Sequence, residues 1–158
     1  MGADVRTEPH VLAAIRQFLL GIVALGVVGT GVELLLLGHF DGPAQLVPLI
    51  LVALAVPVLL WHVIAPSGTT VRVVQLTMVA LIAAGAVGVG LHYDGNVEFA
   101  RELSPNIAGI EFLRKTLAGA TPVFAPASLA LVGLVGLAHA YRHPLLRGRD
   151  FNGEETLP

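Results

Sequence analysis

An all-α, four-helix transmembrane bundle is the fold this sequence predicts, on three observations. Only 13% of the 158 residues are charged and 55% are hydrophobic, whereas soluble domains carry about 25% charged residues. The mean hydropathy is +0.81. The apolar residues gather into four stretches of about 20, the length needed to cross a hydrocarbon core of about 30 Å. Short segments rich in Gly, Pro and Asp separate those stretches, and these residues are turn signals.

Residues 1–17 form a polar lead in which Pro9 suits the first turn of a helix running into the membrane. Asp4 and Arg6 after Gly2 do not make a myristoylation site, which wants Ser or Thr at position 6. A cleavable signal peptide is not expected, because the lead is mixed in charge and the apolar segment after it is too long. The first span is residues 18–37. Gly26, Gly29, Thr30 and Glu33 recur at helical spacing, so one face is small and ends in a carboxylate. His39-Phe40-Asp41-Gly42-Pro43 is a tight turn. The second span is residues 46–64, with Pro57 expected to kink it and Trp61 at the interface.

The third span is residues 73–92, small at Ala84, Gly85 and Gly88, with Arg72 at its start. His92-Tyr93-Asp94-Gly95 then opens the long loop as a second turn. Within that loop Ser104-Pro105 reads as a helix start and Gly119 as the residue past a helix end. Ile107, Ile110, Leu113 and Leu117 share one face of this helix, residues 105–118. An amphipathic helix of that kind lies in the membrane interface or caps the bundle. The fourth span is residues 123–141, thinned by Gly133 and Gly136 and closed by His139, Tyr141, Arg142 and His143-Pro144. A polar tail, 145–158, follows.

Arg6, Arg16, Arg72, Arg142, Arg147 and Arg149 fall on one side of this topology. Arg101, Arg114 and Lys115 fall on the other, among acidic residues. The distribution places both termini in the cytoplasm of a bacterial inner membrane and the long loop outside. The hairpins share punctuation: His-Phe-Asp-Gly ends the first span and His-Tyr-Asp-Gly the third, while Trp61-His62 before Pro66 is matched by Ala138-His139 before Pro144. This reads as two repeated helical hairpins, the second carrying an inserted cap, and repeats of this kind often place a site at their interface.

Several functions are excluded or left open by composition. A net charge of −2 argues against nucleic-acid partners, and the absence of cysteine removes disulfides, iron–sulfur clusters and thiolate metal sites. The candidate metal set is His39, Asp41, His92 and Asp94, two imidazoles and two carboxylates suited to a divalent ion such as Zn, Cu or Mn. Its structural alternative is a helix-terminal His and an Asp-Gly turn. His62 and His139 are candidate ligands on the inner side, and the four His together suggest haem b. Glu33 is a candidate membrane carboxylate for a proton-coupled carrier. Arg101, Arg114 and Lys115 could meet lipid phosphate or pair with neighbouring Glu. No nucleotide-binding Gly loop or hydrolytic triad is present.

Leu91 to Phe99 (LHYDGNVEF), followed by a Gly-rich last span ending Tyr141-Arg142-His143-Pro144, resembles small, uncharacterised four-span bacterial inner-membrane proteins. The overall size also resembles four-helix membrane families such as the DoxX-like proteins. The resemblance implies topology and no activity. The leading expectation is a non-enzymatic, multi-pass accessory or interaction subunit with no cofactor, contacting membrane lipid and other membrane proteins or its own copies. A metal or haem binder and a Glu33 carrier are the alternatives.

Overall fold

The computed structural model describes residues 8–119 and 121–146. The remainder of the lead and tail, with Arg6, Arg147 and Arg149, lies outside the described residues. Among those described, all regular secondary structure is helical. Helix α1 is Glu8–Leu36, α2 is Pro43–Ile64, α3 is Gly68–Leu103, α4 is Gly109–Leu117 and α5 is Ala127–Ala140, followed by a single 3-10 turn, Pro144–Leu146. Three helical segments are long and apolar enough to cross a membrane: His10–Leu36, Pro43–Ile64 and Gly68–Leu103.

The chain ends of these helices follow local chemistry. Gly38 takes a φ of +63° just past α1, a conformation that favours glycine. Pro43 starts α2 and holds Gly42 extended at φ −145°, ψ 160°, because the residue before a proline is disfavoured in the helical region. Pro57 lies inside α2 without ending it, as neighbouring helices allow in membrane bundles. Ser67 and Thr70 form a reciprocal capping box at the start of α3.

The third span does not stop at His92. Helix α3 continues to Leu103, 36 residues in all, about 54 Å at the helical rise. His92-Tyr93-Asp94-Gly95 is therefore helix interior, not a turn, although His39-Phe40-Asp41-Gly42 is one. The physical difference is the next residue. Pro43 forbids helical geometry at Gly42, whereas Gly95 is followed by Asn96, which locks the helix in place. The Asn96 amide donates to Thr116 O (3.0 Å) and Thr121 O (2.7 Å), and its carbonyl accepts from Thr121 N (3.2 Å) and Thr121 Oγ1 (3.1 Å). Ser104-Pro105 likewise ends a helix instead of starting one. Ser104 N–H bonds Ala100 O and caps α3, and Pro105 cannot continue the ladder. The amphipathic helix is correspondingly short, beginning at Gly109 and not at 105.

Helices α1, α2, α3 and α5 form a ring in which α1 packs on α2 and α5, and α3 packs on α2 and α5. Helix α4 leans on α3 alone. The seam between α3 and α5 is the tightest. A Cβ at Gly85 would lie 2.8 Å from Ala130 N and Pro126 O, and one at Gly133 would lie 2.6 Å from Met78 O. Small residues let the two backbones touch. The core inside the ring is apolar throughout: Val23, Val27, Val52, Ala55, Leu59, Val74, Met78, Leu81 and Leu129. Large apolar side chains cover the outside as well, among them Phe18, Leu25, Leu36 and Leu76, each at least 70% exposed. Lipid, not water, matches such a surface.

The fourth apolar segment forms only 14 residues of α-helix. Before it, i→i+3 bonds link Pro122 O to Ala125 N, Phe124 O to Ala127 N and Pro126 O to Leu129 N. Pro126 has no N–H to give to an α-helical ladder, so the tighter turn replaces it.

Candidate metal centre

At the end of the bundle where α2 and α5 finish and α3 starts, three imidazoles converge. One ring nitrogen each from His62, His139 and His143 lies within 4.8 Å of the others, the one group of three or more such ligands among the described residues. His62 and His139 are 5% and 4% exposed. Their Nε2 atoms are 3.2 Å apart and the rings stand edge to face. Helices α2 and α5 do not otherwise adjoin in the ring, so the pair reaches across the bundle interior. His143 closes the group, its ring centroid 5.7 Å from His62 and 5.6 Å from His139.

Every helix of the ring contributes to holding these rings. His139 Nδ1 donates to the carbonyl of Arg16 on α1 at 2.9 Å. A carbonyl only accepts, so neutral His139 has its proton on Nδ1 and a bare lone pair on Nε2. His62 Nδ1 lies 3.0 Å from Thr70 Oγ1 on α3. That hydroxyl also lies 2.9 Å from Ser67 O and accepts from Ser67 N–H at 3.0 Å. Two proton arrangements are compatible with these positions, and only the first places a proton between the two Nε2 atoms. In one, Thr70 donates to His62, and His62 Nε2–H donates to His139. In the other, Thr70 donates to Ser67 O and accepts from His62 Nδ1–H, which leaves both Nε2 lone pairs free toward each other. The second arrangement is the one a metal ion requires. Passing from one to the other takes a hydroxyl rotation and a tautomer change, with no movement of either ring. The outer nitrogen of a metal-bound His is commonly fixed by a carbonyl or other acceptor in this way.

His143 is placed by a turn that sequence spacing does not show. Helix α5 stops at Ala140, and Arg142 takes a φ of +45°, a left-handed conformation costing about 1–2 kcal/mol for a residue with a Cβ. The turn folds His143 back over the pair. Arg16 pins it from α1, Nη2 donating to Tyr141 O at 3.0 Å and to Arg142 O at 3.4 Å. The following 3-10 turn sits on the start of α3, where a Cβ at Gly68 would lie 2.7 Å from Leu145 O. Leu145 N–H donates to His143 Nδ1 at a long 3.3 Å, so a ligating His143 gives up little to change its tautomer. Burial, then the positive neighbourhood of His139, Arg16 and His62, pushes the His143 imidazolium down to about 4, so the ring is neutral near pH 7.

Tetrahedral zinc–imidazole sites have Zn–N bonds of about 2.0–2.1 Å, which sets neighbouring nitrogens roughly 3.3 Å apart. The His62–His139 separation of 3.2 Å matches that edge. It does not fit haem. Two axial ligands stand on opposite faces of a macrocycle, and nitrogens at hydrogen-bond distance leave no room for one.

The opposite end holds the other candidates. His39 and His92 come within 6.4 Å by ring centroids, and His92 Nδ1 donates to Pro122 O at 3.1 Å. Their companion carboxylates do not join them in a three-ligand group. Asp41 is exposed, its backbone N–H bonded to Gln45 Oε1. Asp94 faces a shallow cleft with Val97, Glu98, Arg101 and Glu102. Glu33 stands exposed on the outside of α1, near its end. Arg101 lies over the Phe112 ring and Lys115 pairs with Glu111 at 3.5 Å.

Sequence reasoning named His62 and His139 as a pair at one depth and missed His143, Thr70 and Arg16. The signal for His143 was present: His139-x3-His143 has a metal-ligand spacing. Nothing in the sequence connects Thr70 or Arg16 to the histidines, because those contacts are tertiary. No protein-family model, curated protein or solved structure matches this chain.

Proposed function

We propose that this chain is a four-span membrane protein that binds one late first-row transition metal ion through His62, His139 and His143. The observation that carries the reading is the approach of two buried imidazole Nε2 atoms to 3.2 Å, with one tautomer fixed by Arg16 O and the other switchable by Thr70. Nitrogen donors of this kind suit Zn, Cu, Co or Ni over Mg, Ca or Mn. The fourth crossing would be the turns from Pro122 together with α5, about 30 Å in combined rise. Arg16, Arg72 and Arg142 gather at the metal end, which supports placing that end, and both termini, in the cytoplasm of a bacterial inner membrane.

The core between the two ends is apolar, so the reading is of a held or sensed ion, not of transport through the bundle. A carrier built on Glu33 gains no support from that core. The test is elemental analysis of protein purified without a His-tag, after exposure to Zn²⁺ or Cu²⁺ and dialysis. About one equivalent of metal is expected, lost in His62→Ala with His139→Ala. Absence of bound metal in the wild-type protein would end the reading.

A second reading, a non-enzymatic accessory subunit, is favoured by the part of α3 and α4 that stands clear of the ring. Phe99, Leu103, Ile110 and Leu113 are all exposed there. Co-purification of a membrane partner that Ile110→Glu releases would support it, and a lone monomer in mild detergent would remove it.

A further inference from the structure

We infer that the metal ion at His62, His139 and His143 carries a small anion at its fourth position, with the Arg16 guanidinium as that anion's counter-charge. The inference rests on the metal reading above. Three neutral imidazoles leave a divalent ion with its full charge and, in tetrahedral geometry, one ligand short. The carboxylates whose side chains are described, Glu33, Asp41, Asp94, Glu98, Glu102 and Glu111, all belong to the opposite end of the bundle. The metal end instead carries Arg16, Arg72 and Arg142.

Arg16 is hydrogen-bonded to the site itself. Its backbone carbonyl accepts from His139 Nδ1–H and its Nη2 donates to the two carbonyls that precede His143. A cation bound by these rings would lie near the positive charge of Arg16. The same side chain has a second cost: its Nε–H is buried with no hydrogen-bond partner among the described residues. A buried unpaired donor is destabilising. An anion held between metal and guanidinium removes both penalties, supplying the missing ligand, the negative charge and an acceptor. The chemical class is a small inorganic anion with an oxygen or nitrogen donor: solvent hydroxide at rest, exchangeable for azide or bicarbonate.

The experiment uses the full chain in detergent, loaded with Co²⁺, whose visible bands report coordination. Azide is the probe. A saturable change in the Co²⁺ bands is expected for the wild type. At a Co²⁺ concentration that saturates each protein, Arg16→Gln should weaken azide by about tenfold or more, and Arg16→Lys should keep most of the affinity. Bound Co²⁺ whose bands ignore saturating azide would overturn the inference and leave the metal reading standing. Equal azide affinity in Arg16→Gln would overturn the role of Arg16. Failure of Co²⁺ to bind at all would overturn the metal reading, and the anion with it. Should Arg16→Gln not fold, the wild-type titration and Arg16→Lys still decide.

Discussion

The two ends of this bundle each bury polar side chains, and they use them differently. At the far end Asn96 spends its two donors and two acceptor sites on Thr116 near the end of α4 and on Thr121 in the loop that follows. Nothing is left over, and the result is a closed structural clasp. At the near end His62 and His139 turn one nitrogen outward to Thr70 and Arg16 and aim the other at each other. With its proton on Nε2, His62 satisfies the pair by a direct hydrogen bond; with the proton on Nδ1, two lone pairs converge in the core. The Asn96 clasp has one arrangement, and the histidine pair has a second that is open to a metal ion.

The largest expected effect separates the ends by metal. His62→Ala with His139→Ala should lower Zn²⁺ affinity at least a thousandfold, about 4 kcal/mol, as read by competition with a chelating dye. The matching change, His39→Ala with His92→Ala, should leave that affinity within about twofold. Equal losses from both would mean that the ends share one function, and the contrast would fail.

Stability should divide them the other way. Asn96→Leu is expected to lower unfolding free energy by about 3 kcal/mol, since four partner groups around it lose their bonds. Thermal unfolding in detergent measures this, and metal affinity should not change. A folded Asn96→Leu protein with wild-type Tm would show the clasp to be dispensable.

Thr70 sharpens the near end. Thr70→Val keeps shape and removes the hydroxyl that lets His62 carry its proton on Nδ1, so metal affinity should fall about 10–100-fold. Thr70→Ser should stay close to wild type. If Val and Ser behave alike, the hydroxyl plays no part in setting the tautomer.

The smallest effect is in pH. His143 ionises near 4 in the folded protein, below the ordinary value of 6.5. Folding therefore favours the neutral ring. Its contribution to apoprotein stability is fully present above pH 6.5 and is lost as pH falls from there toward 4. Unfolding temperatures of apoprotein across this window should decline less steeply in His143→Gln than in wild type. Parallel curves would show His143 to be solvated like an ordinary surface histidine.

Much of this architecture was legible along the chain. Composition and four apolar stretches specified helices in lipid, and Gly85, Gly88, Gly133 and Gly136 marked the faces that now pack closely. Repetition was the misleading signal. Two nearly identical tetrapeptides, His39 to Gly42 and His92 to Gly95, became a turn and a helix interior, because one precedes Pro43 and the other precedes Asn96. The second outcome needed Thr116 and Thr121, residues distant in sequence, and local propensity carries no information about them.

By itself, then, the sequence determined what backbone chemistry and lipid dictate: all-helical structure and a short turn running into Pro43. These depend on neighbours a few residues away. Tertiary structure alone decided that α3 runs on through Gly95 and which histidines meet. His62 and His139 belong to helices that face each other across the ring. The turn at Arg142 that adds His143 is held by Arg16, 126 residues earlier. A ligand set is a relation between positions in space, and only packing creates that relation.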